Sequence, residues 1–196
     1  MITSKEDLLE YIAADSKNYI KKRIHFQWLR SMLCVSPISD QTYIWKYIRT
    51  MRLCEYTISC HNTLIGKIKN IYYSHRLMKY AYKTGFQIPP CVFDKGLTIW
   101  HWGMIIINQD TRIGENCTLH PNVIIGKRKT NGKSPVIGRN VYVCGGARIL
   151  GNIIIGDNVT IAPNTVVFKN VPSNCVVAGN PAIIIKKDGQ KVNIPL

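Results

Sequence analysis

No apolar run in this sequence approaches the roughly 20 residues that a bilayer-crossing helix needs, so no membrane span is expected. The stretch from Met1 to Glu10 is polar and acidic, without the basic-then-apolar order of a secretory leader. The seven cysteines are odd in number and form no CxxC pair, which leaves neither a zinc site nor a disulfide framework in view. These absences together make a reduced, cytoplasmic setting the expectation. Acidic residues are also scarce, 11 against 26 Lys and Arg, for a net charge of +15 carried by both halves of the chain. Such a surface suits an anionic partner: a nucleotide cofactor, an acidic glycan or an anionic membrane face. Nucleic acid is not expected, because no nucleic-acid-binding motif accompanies the charge.

What is present falls into two segments of different period. Residues 1–85 read as a helical N-terminal segment. Ser4-Lys5-Glu6-Asp7 has the form of a capping box, with Leu8, Leu9, Ile12 and Ile20 following at helical spacing. Asp40 reads as a second N-cap, leading into Tyr43, Ile44, Tyr47, Ile48 and Met51 on one face. A third apolar stripe runs Leu64, Ile68, Ile71, Tyr72, His75, Met78, and Gly85 before Pro89-Pro90 ends it.

Residues 86–196 change to a period of six. Ile113, Leu119, Ile125, Ile137, Val143, Ile149, Ile155, Ile161 and Val167 share one register, and every one is aliphatic. Four positions after members of this register stand Cys117, Val123, Val141, Ala147, Ile153, Val159 and Thr165. A fixed period with one aliphatic per unit marks a solenoid, whose units bury their side chains against their neighbours. Six residues are too few for a helix pair, so each unit is a short strand plus a turn, and three units make one triangular coil. Lys127 to Pro135 is basic and rich in turn formers, and reads as a loop extruded at a multiple of six. After Pro172 the repeat stops, and Ile183 to Lys187 is expected to cap the open end as a strand or helix.

The stretches Ile88-Pro89-Pro90, Gly96-Leu97-Thr98-Ile99-Trp100-His101-Trp102-Gly103, Ile106-Ile107-Asn108, the hexapeptides, and Val177-Ala178-Gly179-Asn180-Pro181-Ala182 carry a resemblance. They resemble the hexapeptide-repeat acetyltransferases, in the branch near serine acetyltransferase that includes capsular and surface polysaccharide O-acetyltransferases. That resemblance implies a mainly β chain folded as a left-handed parallel β-helix, a homotrimer with sites between subunits, and acetyl-CoA as co-substrate without a metal. Assembly beyond the trimer, and contact with an anionic membrane face, are left open to the basic helical segment. A γ-type carbonic anhydrase would share the solenoid but needs a histidine-rich zinc site, and only His101 and His120 of the five histidines lie in the repeats.

Acetyl transfer to a hydroxyl needs a base, donors for the oxyanion, and two substrates held in line. His101 stands where the family carries its catalytic histidine and is the expected base; His25, His61 and His75 fall in the helical segment. His120 matches a second histidine of some members, with a role as an orienting group or as an ordinary interface residue. Cys117 points inward in the repeat, and a buried apolar thiol is a poor nucleophile, so direct transfer is expected. The sequence departs from serine acetyltransferase where that enzyme's charged groups hold the amino acid. Trp100 replaces the acid before the base, Gln87 replaces an earlier acid, and Lys133 and Ser134 replace an arginine and a second histidine.

Asp94 is the expected orienting group for His101, and Trp100 and Trp102 are expected to stack on a sugar ring. The primary expectation is therefore a sugar hydroxyl of a surface polysaccharide or its precursor, with serine as alternative acceptor and a non-catalytic trimeric assembly module as an alternative of another class. For coenzyme A, the family's turn positions carry over to Gly145, Gly146, Ala162 and Pro163. Its phosphates are expected near Lys127, Arg128, Lys169, Lys186 and Lys187.

Overall fold

The computed structural model describes residues 2–19, 40–60 and 63–196, with the backbone alone at Cys60. Ile20, His25 and His61 lie outside the described residues.

Helix α1, Lys5–Ser16, begins with the expected capping box: Ser4 Oγ accepts from the Asp7 amide at 3.0 Å and Asp7 Oδ2 accepts from the Ser4 amide at 3.0 Å. Its inward face is Leu8, Tyr11 and Asp15, while Leu9 points to solvent. Helix α2, Asp40–Cys60, buries Ile44, Tyr47, Ile48 and Met51 as the spacing predicts. Asp40 is the first helical residue rather than a flanking cap, and its carboxylate reaches out of the helix as well as accepting from the Gln41 amide. Helix α3, Leu64–Thr84, is capped by Thr63, whose hydroxyl accepts from the Gly66 amide, and by Gly85 in the left-handed region at φ 79°. Its packing reverses the expectation. Gly66, Leu77 and Thr84 are the buried residues, whereas Leu64, Ile68, Ile71, Tyr72, His75 and Met78 are exposed. Gly66 and a second apolar set, Tyr73, Leu77, Tyr80 and Ala81, pack inward, and the expected apolar stripe faces out.

From Phe86 the chain winds as a left-handed parallel β-helix with three sheets. Sheet A stacks β1 (Phe86–Gln87), β3 (Ile105–Ile107), β6 (Val123–Gly126), β9 (Arg148–Leu150) and β12 (Val166–Val167). Sheet B stacks β4 (Arg112–Ile113), β7 (Val136–Ile137) and β10 (Ile154–Ile155). Sheet C runs β2 (Thr98–Ile99), β5 (Thr118–Leu119), β8 (Tyr142–Val143), β11 (Thr160–Ile161) and β13 (Cys175–Ala178). All nine register aliphatics and all seven residues four positions on are buried. Thr118 pairs with Tyr142, and Tyr142 with Thr160, so the coil carrying loop 127–135 is longer than the next by one hexapeptide and the register survives.

The turns at the corner between sheets B and C use asparagine in place of glycine. Asn116, Asn140, Asn158 and Asn174 all lie in the left-handed region at φ 56–59°, a conformation that asparagine tolerates better than most side chains. Their amides stack: Asn140 donates to Asn158 at 3.0 Å and Asn158 to Asn174 at 2.9 Å.

Both open ends of the solenoid are covered, as an Ising-like stack requires. Above the first coil, α2 packs Tyr47 edge-on against Phe86 at 5.2 Å, and the Tyr47 hydroxyl donates to the Ile88 carbonyl. Below the last coil, the expected cap is a hairpin: β14 (Ile183–Lys187) and β15 (Gln190–Pro195) add antiparallel to β13. Arg52 of α2, fully buried, ties the helices to the first coil. It pairs with Asp15 at 2.8 Å and Glu55 at 2.9 Å and donates to the carbonyls of Phe93 and Asp94.

Candidate functional site

The strands of sheet C align four turns at the corner that leads into sheet A. Because Ile99, Leu119, Val143 and Ile161 are in register, the residues after them stack as Trp100, His120, Cys144 and Ala162. The ladder extends into these turns: the Trp100 amide donates to Leu119, His120 to Val143, Cys144 to Ile161 and Ala162 to Val177. His101 therefore heads the same edge that carries His120, Gly145, Gly146, Ala162 and Pro163 beneath it.

His101 projects from this edge, with its side chain 64% exposed, and its Nδ1 lies 2.8 Å from Oδ2 of Asp40. The partner is thus Asp40, not Asp94. Asp94 lies at the other side of the coil, where its backbone amide bonds Ile113 of sheet B. Its carboxylate accepts from the Tyr11 hydroxyl and the Lys95 amide. Burial pushes that carboxyl up, but these donors outweigh burial and leave it below the usual aspartate value. Sequence reasoning missed Asp40 because a helix start accounts for an aspartate locally; its meeting with His101 joins residues 61 positions apart.

His120 Nε2 is 2.6 Å from the Tyr142 hydroxyl, which belongs to the next coil of sheet C. The rings of Trp100 and His120 are 6.5 Å apart. Burial first, and electrostatic repulsion from the neighbouring His101 second, hold His120 below the ordinary histidine value. Trp102 lies against Tyr43 of α2 at 6.3 Å, and the ammonium groups of Lys46 and Lys83 stand over Tyr43 at 5.5 and 5.0 Å. Trp100 and Trp102 are 43% and 48% exposed, so neither is core. Gln87 is exposed on β1, at the top of sheet A. Cys117 is buried, bonded to the Gly138 carbonyl, and its thiol is pushed up to about 11 by burial, which removes it as a nucleophile.

The remaining expected residues lie elsewhere in the chain. Lys127, Arg128 and Lys169 flank the next corner, between sheets A and B. Lys127 pairs with Asp110 at 2.6 Å, the Arg128 guanidinium covers the Phe168 ring at 5.2 Å, and Lys169 donates to the Leu196 carbonyl. Ser134 is also there, buried, with its hydroxyl on Asn108 at 2.8 Å rather than near His101. Lys186 and Lys187 are exposed on β14 at the end of the stack. Within one chain the cations and the small-residue edge are on different corners of the prism.

Residues 134–169 match the family model described as bacterial transferase hexapeptide (six repeats). Among curated proteins, serine acetyltransferase of Staphylococcus xylosus is 41% identical over 112 residues, covering 56% of this chain and 52% of that protein. Serine acetyltransferase of Staphylococcus aureus strain N315 is 42% identical over 112 residues, covering 56% and 53%. The chain thus spans about half the length of the curated relatives it matches. Among solved structures, serine acetyltransferase from Brucella abortus superposes with a TM-score of 0.69 at 24% identity, over 94% of this chain and 71% of that one. The same enzyme solved in complex with coenzyme A gives 0.67 at 24%, over 94% and 70%. The soybean serine acetyltransferase apoenzyme gives 0.65 at 22%, over 92% and 70%. At these identities the structural likeness establishes the fold, including the helices that precede the solenoid.

Proposed function

We propose that the chain is an acetyl-CoA-dependent O-acetyltransferase in which His101 is the general base. The observation that carries this reading is the contact of His101 Nδ1 with Asp40, which leaves Nε2 outward at an exposed edge. With the Nδ1 proton donated to Asp40, the Nε2 lone pair takes the proton of an acceptor hydroxyl as its oxygen attacks the thioester carbon. Asp40 holds the tautomer and stabilises the imidazolium that forms. Collapse of the tetrahedral intermediate breaks the carbon–sulfur bond, and His101 returns the proton to the departing thiolate. His120 lines the same edge as a second polar group.

The edge formed by Gly145, Gly146, Ala162 and Pro163 suits the thin pantetheine arm, because no bulky side chain keeps it from the backbone. In a homotrimer the A–B corner of one protomer, with Lys127, Arg128 and Lys169, would face the C–A corner of another and supply cations for the phosphates. The helical segment 1–85 and the solenoid 86–196 then act as two parts of each protomer.

For the acceptor, the shared name of the curated relatives favours serine over the sugar hydroxyl placed first by the sequence. A sugar hydroxyl remains the second reading, favoured by a specific observation: the half-exposed Trp100 and Trp102 on either side of His101, with the uncharged Gln87 and the buried Ser134 in place of charged groups. Coenzyme A thiol release from acetyl-CoA, followed with serine and in parallel with free and nucleotide-linked sugars, tests the reading. Stimulation by serine assigns an amino-acid acceptor, and stimulation by a sugar assigns a glycan acceptor. Absence of thiol release with every acceptor of both sets would overturn the enzyme reading in favour of an assembly module. In the active case, His101→Ala lowers turnover by roughly 10²–10⁴-fold while coenzyme A binding is kept.

A further inference from the structure

Helix α3 carries apolar side chains on two faces, and only one of them is packed. The inward stripe is Gly66, Asn70, Tyr73, Leu77, Tyr80, Ala81 and Thr84, with Tyr73, Leu77, Tyr80 and Ala81 against the hydrophobic core. Facing away are Leu64, Ile68, Ile71, Tyr72, Met78 and Tyr82, each between 55% and 84% exposed. At 3.6 residues per turn these six fall within an arc of about 120°, centred nearly opposite the packed stripe. Only His75 and Lys79 interrupt this arc, and an exposed face so largely apolar marks a contact.

The charges beside it say what the contact is. Helix α3 holds Lys67, Lys69, Arg76, Lys79 and Lys83 and no Asp or Glu. Lys67 flanks one side of the apolar face and Lys69 and Arg76 the other, while Lys79 falls inside it, between Ile68 and Tyr72. A second copy of the helix would bring these cations together with no carboxylate to meet them. Nucleic acid would answer the cations but leave the aliphatic face wet. An anionic bilayer surface answers both: aliphatic and tyrosine side chains enter the acyl boundary while lysines and arginines meet the phosphates.

We propose that α3 lies in the plane of an anionic membrane surface, with the Leu64–Ile68–Ile71–Met78 face inserted and the basic flanks on lipid headgroups, making the protein peripheral to the membrane. This is independent of which acceptor the site uses. No helix among the described residues is long and apolar enough to cross a bilayer, so the association is interfacial. The C-terminal end of α3 passes the site, because Lys83 stands over Tyr43, the ring that contacts Trp102. The His101 edge would therefore face a zone close to the lipid surface.

The test is co-sedimentation of the full chain with vesicles of phosphatidylglycerol and phosphatidylcholine, against vesicles of phosphatidylcholine alone. Binding is expected to the anionic vesicles only. Ile68→Glu with Ile71→Glu should abolish it, and Lys67→Gln with Lys79→Gln should weaken it by roughly 25-fold, at about fivefold per cation. Because all four side chains are exposed, each variant should unfold at an unchanged temperature, and molar mass in solution should match the parent. No binding at low salt overturns the proposal. So does equal binding of the Ile68/Ile71 variant, which would make the contact purely electrostatic. A lower molar mass in that variant also overturns it, because the face would then be buried between copies of the chain.

Discussion

Asp40 Oδ2 and His101 Nδ1 are 2.8 Å apart, although one opens a helix and the other lies in the turn after the first strand of sheet C. The contact exists because α2 closes the top of the solenoid, so its first turn overhangs the corner where His101 emerges. Asp40→Asn keeps a hydrogen-bonding group but permits the wrong tautomer of the imidazole. Since both side chains are partly in water, kcat should fall on the order of 10²-fold, short of the roughly 10⁴-fold loss known for a buried carboxylate in hydrolase triads. Asp40→Glu should recover part of the rate, and the KM for acetyl-CoA should not change. Steady-state kinetics on the three proteins checks this.

His120 provides a test by pH. Its titration lies below about 6.5, the unperturbed histidine value, because burial disfavours the charged ring and His101 repels it. The folded state therefore binds fewer protons at His120 than the unfolded chain. The resulting stability is present above the unfolded value and is lost as pH falls through the folded one. In a histidine-selective NMR titration, His101→Ala should move the His120 midpoint upward, but not fully to the ordinary value, since burial remains. Tyr142→Phe should leave His120 below that value and alter its chemical shift through loss of the 2.6 Å contact.

Arg52 predicts a large loss of stability with no change at the reacting atoms. Burial alone would disfavour its charge, but Glu55 and Asp15 outweigh that and raise its affinity for the proton. Arg52→Ala strands two buried carboxylates, so unfolding in denaturant should show a loss of about 3–5 kcal/mol. Asp15 also accepts from the Gly96 and Leu97 amides, so α1 should loosen from the first coil in hydrogen exchange.

The asparagine ladder separates conformation from hydrogen bonding. Asn158→Ala loses two amide contacts and puts alanine at φ 57°, for a cost of about 2–3 kcal/mol in thermal or chemical unfolding. Asn158→Gly loses the same contacts but adopts the backbone freely, so it should cost less by about 1 kcal/mol. Equal costs would mean the ladder, and not the left-handed turn, selects asparagine here.

The solenoid was legible in the amino-acid order, because its burial is local and periodic. Ile113, Leu119 and Ile125 each meet the residue one coil away by the same six-residue count, and loop 127–135 is recognisable by composition and by its length. The capping box at Ser4 is legible for the same reason, since its partners are three residues apart. His101 is singled out by a motif, whose residues are contiguous in the chain. Tertiary structure alone decided what meets His101: a linear reading offers Asp94 and takes Asp40 for a helix start, and only the seating of α2 on the first coil brings Asp40 to the imidazole. It also decided that the apolar stripe of α3 faces outward. Spacing defines the faces of a helix, but which face is buried depends on the shape of the neighbour, and here Gly66, Leu77 and Thr84 pack inward. The separation of Lys127 and Arg128 from the Gly145–Ala162 edge has the same origin, because three sheets turn successive corners to different sides of the prism.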